Sequence, residues 1–79
     1  MKKSIYLLGS TGSIGETTLK ILYKDRKKFT IKLLTTYSNS KKIYKQALKF
    51  NVREIVIFNK EEYIKSYSKF KKKKIKVFN

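Results

Sequence analysis

The chain has 79 residues, with 21 Lys and Arg against 5 Asp and Glu, a formal net charge of +16, and no Cys, Pro, His or Trp. A chain this short makes at most one domain and buries only about 60 to 70 per cent of its unfolded surface. Without Cys or His it has no disulfide framework, no thiolate nucleophile, no Cys/His zinc site and no Ser–His or Cys–His catalytic pair.

Ser4 to Leu8 reads as a short buried strand ending at Gly9. Its apolar run, Ile5-Tyr6-Leu7-Leu8, is too short for a membrane span. With Met1-Lys2-Lys3 before it, the run also falls short of a secretory signal, which needs roughly 7 to 15 apolar residues. The expectation is a soluble, cytoplasmic chain. From Ser13 the period changes, and Ile14, Thr18, Ile21 and Leu22 fall on one helical face up to about Tyr23 or Lys24. Phe29 to Thr36 is a second strand-like run, followed by the turn Tyr37-Ser38-Asn39-Ser40. Asn39 or Ser40 is placed to cap a helix carrying Ile43, Tyr44, Ala47 and Leu48, with Asn51 as its stop. Glu54 to Phe58 is the clearest strand, β-branched and continuous as if buried on both faces. Asn59 offers a further N-cap, with Glu61 and Glu62 in the first turn, and Tyr63, Ile64, Tyr67 and Phe70 follow at helical spacing. After the loop-like run Lys71 to Lys74, Ile75 to Phe78 reads as a fourth strand. The order β-α-β-α-β-α-β with short connections predicts an α/β fold: a Rossmann-like parallel sheet, partial and incomplete at its C-terminal end, with residues 1–79 as the first part of such a domain.

Between the first strand and first helix lies Gly9-Ser10-Thr11-Gly12-Ser13-Ile14-Gly15, which holds all three glycines of the chain. Gly9 suits backbone angles that a side chain forbids, Gly12 lets the backbone approach a pyrophosphate, and Gly15 lets the helix pack closely. Ser10, Thr11 and Ser13 read as hydroxyls at the rim, and the free N–H groups of the first helical turn face the anion. A phosphate-loop ATPase is disfavoured, because Glu16 follows Gly15 where that motif has Lys and a hydroxyl residue. A dinucleotide site of the NAD type usually has Asp or Glu about 20 residues beyond the turn, accepting from the ribose 2′-hydroxyl. Here the region is Thr35-Thr36-Tyr37-Ser38-Asn39-Ser40-Lys41-Lys42, without an acid, which favours NADP(H) over NAD(H).

The charge carries two readings. A net +16 is enough for non-specific polyanion binding. Yet 19 of the 21 basic residues are Lys, Ala occurs once, and Ile, Asn, Tyr and Phe are plentiful, the balance that an A/T-rich coding sequence imposes on any enzyme. Arg, the usual residue for bidentate phosphate contacts, is scarce.

Leu8-Gly9-Ser10-Thr11-Gly12-Ser13-Ile14-Gly15, followed by Thr18-Leu19, resembles the N-terminus of the 1-deoxy-D-xylulose 5-phosphate reductoisomerases. The likeness extends more loosely through Phe29, Asn39, Gln46-Ala47, Phe50 and Val56. It implies an NADPH-dependent oxidoreductase of the non-mevalonate isoprenoid pathway. Thr11, Gly12, Ser13 and Ile14 would then line the NADPH phosphates, with Asn39 beside the adenosine 2′-phosphate. Many members have Gly-Lys just before that Asn, where this chain has Tyr37-Ser38. Ser38 still donates to a phosphate, and Lys41 or Lys42 is positioned to replace the lost cation. Family members run to roughly 400 residues, beyond what this chain builds. The resemblance therefore places the divalent metal (Mg or Mn), the sugar-phosphate substrate and the homodimer contacts with the full-length enzyme. There a ketose phosphate is rearranged and the resulting aldehyde reduced to 2-C-methyl-D-erythritol 4-phosphate. This chain supplies cofactor binding and is expected to be inactive alone. Two rivals stand: a small basic module for nucleic acid or another polyanion, and the cofactor segment of a different NADP-dependent reductase such as a semialdehyde dehydrogenase.

Overall fold

The computed structural model describes residues 2–79. Strand β1 (Lys3–Leu7) leads through the glycine turn into helix α1 (Ser13–Lys24), and a single 3-10 turn (Arg26–Lys28) returns the chain to β2 (Phe29–Thr36). Helix α2 (Ser40–Phe50), β3 (Glu54–Ile57), α3 (Lys60–Lys72) and β4 (Lys76–Phe78) complete the alternation. All strand pairs are parallel and the sheet order is β1-β2-β3-β4. Lys32 is the one residue of β2 bulged out of register, between the pairs Ile5–Ile31 and Tyr6–Leu33.

Each helix boundary has a local cause. The Asn39 side chain accepts from the Lys42 N–H at 3.2 Å, and Asn59 does the same for Glu62 at 2.9 Å. Between the two candidate caps of α2, Asn39 is the one used. Asn51 ends α2 in the left-handed region at φ 56°, which Asn tolerates better than other side-chain-bearing residues. Lys71 and Lys72 form the last turn of α3 rather than a loop, where cations suit the negative end of the helix dipole.

Because every crossover runs in the same direction, right-handed connections put all three helices on one face of the sheet. A single core lies between them. Leu34, Ile55 and Val77 sit in one row across β2, β3 and β4, with Leu7 beside Leu34, and face Leu19, Ile43, Ala47 and Phe70. Tyr44 meets Phe70 edge to face, with ring centroids 5.3 Å apart. The opposite sheet face carries Tyr6 beside Leu33 in one row and Val56 beside Phe78 in another, and no helix of the described residues covers it.

This one-sided packing corrects several sequence expectations. Val56 is half-buried and Phe58 is 59 % exposed, so β3 is buried on one face only. Tyr6 on the edge strand and Leu8 in the turn just after it are likewise exposed. In α1 the buried stripe is Gly15, Leu19 and Leu22; Ile14 and Ile21 point outward. In α3 the buried residues are Ser66 and Phe70, while Ile64 and Tyr67 are exposed. No helix among the described residues is long and apolar enough to cross a membrane.

Candidate functional site

The glycine turn stands at the C-terminal end of the strands, where parallel α/β sheets take their ligands. Gly9 has φ +69°, an angle that disfavours any side chain. Its carbonyl accepts from the Gly12 N–H at 3.2 Å, which closes the turn, and Gly12 O then accepts the first helical bond from Glu16 at 2.9 Å. A Cβ on Gly15 would collide with the Gly9 carbonyl and stand 2.7 Å from the Ser10 Cα. The third glycine is therefore required by the turn packing onto its own helix. Gly12 differs. Its backbone is extended (φ −79°, ψ 172°) and a Cβ there would approach nothing nearer than 3.7 Å. The fold thus leaves room for a Cβ at position 12.

Helix α1 starts at Gly12 without a side-chain cap, whereas α2 and α3 are capped by Asn39 and Asn59. The N–H groups of Ser13, Ile14 and Gly15 precede the first intrahelical bond, and the partial positive charge of the helix end lies with them. This is the arrangement that receives phosphate at a βα turn.

The tip of β2 holds the turn in place. Thr35 Oγ1 accepts from the Gly9 N–H and Thr35 O from the Ser10 N–H, both at 2.9 Å. The Thr11 and Thr36 hydroxyls lie 2.7 Å apart, and Thr36 Oγ1 also accepts from the Asn39 N–H at 3.3 Å. Thr11, Thr36 and Asn39 thus form one connected unit, and the turn and the start of α2 share a wall. Thr35 and Thr36, buried beneath the turn, organise it; the sequence showed them only as hydroxyls in an acid-free stretch.

Ser10 does not stand on the rim. It is fully buried, donates to Gln46 Oε1 at 2.7 Å, and its carbonyl accepts from Gln46 Nε2 at 2.9 Å. Its role is to fasten the turn to α2. Thr11 is half-buried at the wall, while Ser13 and Ile14 are exposed on the open side.

Beyond the tip, a hollow of about 330 Å³ opens between the start of α2 and α3. Ser38, Asn39 and Lys41 line one side, and Lys65 and Lys69 the other, with Glu62 also on its wall. Lys42 is not among them. Its Nζ pairs with Glu16 at 2.7 Å, tying the first turn of α2 to that of α1. Among the described residues, no three of His, Cys, Asp and Glu cluster closely enough to hold a metal ion.

The chain has relatives in both sequence and fold. A protein of Pelagibacter ubique described as 1-deoxy-D-xylulose 5-phosphate reductoisomerase is 43% identical over 77 residues, which cover 98% of this chain and 20% of that protein. Its counterpart in Porphyromonas gingivalis is 41% identical over 63 residues, covering 80% of this chain and 16% of that one. The chain thus spans about a fifth of the length of the first of these relatives. The solved reductoisomerase of Zymomonas mobilis in complex with NADPH superposes with a TM-score of 0.91 at 23% identity, covering 99% of this chain and 21% of that one; at that identity it speaks for the fold. A reductoisomerase solved with NADPH, fosmidomycin and magnesium gives 0.88 at 27% identity over 96% of this chain and 19% of its own. The sequence model for 1-deoxy-D-xylulose 5-phosphate reductoisomerase matches residues 5–79, nearly the whole of the parallel sheet and its three helices. On this match the chain belongs to the 1-deoxy-D-xylulose 5-phosphate reductoisomerase family.

Proposed function

We propose that residues 1–79 form the N-terminal part of the NADP(H)-binding domain of a reductoisomerase, and that the glycine turn holds the cofactor's phosphates. The observation that carries this reading is Gly12: the fold leaves its Cβ position empty, beside the uncapped N–H groups of Ser13 and Ile14. Gly9 and Gly15 shape the turn, Thr11 fixes its wall against Thr36, and Ser13 and Ile14 offer N–H donors to phosphate oxygens. Relatives solved with NADPH support the choice of cofactor.

The hollow beside Asn39 is the place for the adenosine 2′-phosphate. Asn39 uses its Oδ1 on the helix cap, which leaves its amide to donate. Ser38 adds a hydroxyl. Lys42 is held by Glu16, so Lys41 and, from α3, Lys65 are the cations that replace the one missing before Asn39.

NADPH, when bound, supplies a hydride; the residues here bind and orient it. Rearrangement and reduction of 1-deoxy-D-xylulose 5-phosphate, with its divalent metal, is assigned to the whole protein, which we place in the cytoplasm as a homodimer. Its metal and sugar-phosphate sites do not draw on this chain. The direct test is a titration with NADPH followed at the backbone amides. Saturable shifts at Ser13, Ile14 and Asn39 are expected, and shifts confined to lysines remote from the turn would refute the assignment.

A further inference from the structure

At the opposite end of the sheet, where the strands begin, lies a cavity of about 300 Å³ between the last turns of α1 and α2. Its apolar wall is Leu22, Phe29 and Phe50, half-buried against the core or beside it. Around this wall stand four cations, Lys2, Arg26, Lys27 and Lys49, and among the described residues no carboxylate lines it. The nearest acid in sequence, Asp25, lines an adjoining hollow that Arg26 and Lys27 also line.

Two of the cations are positioned rather than loose. The Arg26 guanidinium donates to the Tyr23 carbonyl at 2.9 Å and lies 4.4 Å from the centre of the Tyr23 ring. Lys49 Nζ lies 4.5 Å from the same ring centre and 6.0 Å from that of Phe50. Tyr23 and Phe50 are themselves packed edge to face at 5.6 Å. The Tyr23–Phe50 pair therefore holds both cations beside the cavity, which no carboxylate lines among the described residues. An anion at this position meets cations without a competing acid, and the apolar wall beside it rewards a ligand that also carries hydrocarbon.

We propose that this cavity is a second ligand site, distinct from the glycine turn, that takes a phosphate monoester bearing a compact apolar group. Arg26 and Lys49 bind the phosphate, and Leu22, Phe29 and Phe50 receive the apolar group. At about 30 Å³ per water-sized group the cavity holds on the order of ten heavy atoms, the size of phenyl phosphate, and it sits at the lower end of small-molecule sites.

The test is a titration of the full chain with phenyl phosphate, inorganic phosphate and phenol in 0.15 M-range salt, where diffuse attraction to scattered lysines is screened beyond about 8 Å. The expected result is saturable binding of phenyl phosphate at least fivefold tighter than either half-molecule, with amide shifts at Tyr23, Arg26, Lys49 and Phe50. Lys49→Gln and Arg26→Gln, both exposed positions, each weaken it several-fold, and Gly12→Val leaves it unchanged. Phenyl phosphate binding no tighter than inorganic phosphate, or shifts spread over the lysines at large, overturns the proposal.

Discussion

Ser10 and Gln46, 36 residues apart, bond to each other twice: hydroxyl to amide oxygen at 2.7 Å and amide nitrogen to carbonyl at 2.9 Å. The pair joins the glycine turn to α2 inside the protein, so the orientation of the turn depends on the second helix as well as on its own glycines. Gln46→Leu removes the short bond of the Ser10 hydroxyl, leaving it only Thr35 O at 3.5 Å, and the partner of the Ser10 carbonyl, and a destabilisation of about 1 to 3 kcal/mol is expected. Combining it with Ser10→Ala recovers part of that loss. Urea unfolding of the two single variants and the double variant checks this; strictly additive losses would show that the pair is not coupled.

The glycines at 12 and 15 separate binding from folding. A Cβ at position 12 suits the observed backbone and comes no nearer than 3.7 Å to the protein, so Gly12→Val is expected to keep a midpoint of unfolding close to that of the parent while cofactor binding is lost. Gly15→Ala forces the turn off its helix and costs about 1 to 3 kcal/mol through overpacking. Thermal unfolding alongside NADPH titration distinguishes them. Equal destabilisation by both changes would contradict the geometry.

On the proposed assignment, the preference for the 2′-phosphate resides in Lys41 and Lys65. Changing either to Gln removes a charge-assisted contact worth roughly 1 kcal/mol at an exposed site, about a fivefold loss for NADPH with NADH unchanged. Lys42→Gln leaves the NADPH-to-NADH ratio as it was, since that ammonium is engaged by Glu16. A ratio that falls with Lys42→Gln and not with Lys65→Gln would reverse the assignment.

The two faces of the sheet respond differently to truncation. Phe70→Ala empties a fully buried position and is expected to cost about 3 to 5 kcal/mol, enough to unfold a small domain. Phe58→Ala and Tyr6→Ala, on side chains 59 % and 64 % exposed, shift stability by about 0.5 kcal/mol or less. Chemical denaturation of the three variants measures the contrast, and a large loss at Phe58 would mean that its face is covered in solution.

Much of this was legible in the sequence. The alternation of strands and helices follows from the change of hydrophobic period, and the caps Asn39 and Asn59 and the stop Asn51 follow from their own side-chain chemistry. The glycine turn was legible at Gly9 and Gly15, where a positive φ and the close packing of turn on helix each demand a glycine. Which face of each strand is covered was not. Val56 and Phe58 belong to a continuous β-branched and aromatic run that reads the same with one helical layer or two. Ser10 was misplaced for a similar reason: only the distant Gln46 makes a serine in a turn an interior residue. The pairing of Lys42 with Glu16, which removes one candidate cation, is also a long-range relationship that no local spacing reveals.

On the proposed function, an anion-binding turn, rather than the net charge of +16, governs what this chain binds. The most direct measurement is a binding titration with NADPH and NADH at low and at high salt, on the parent chain and on Gly12→Val. NADPH binding is expected to exceed NADH binding, to persist at high salt and to disappear in the variant. NADPH and NADH binding that fades together as salt rises, and is the same in Gly12→Val, would contradict it and leave the lysines as a diffuse polyanion surface.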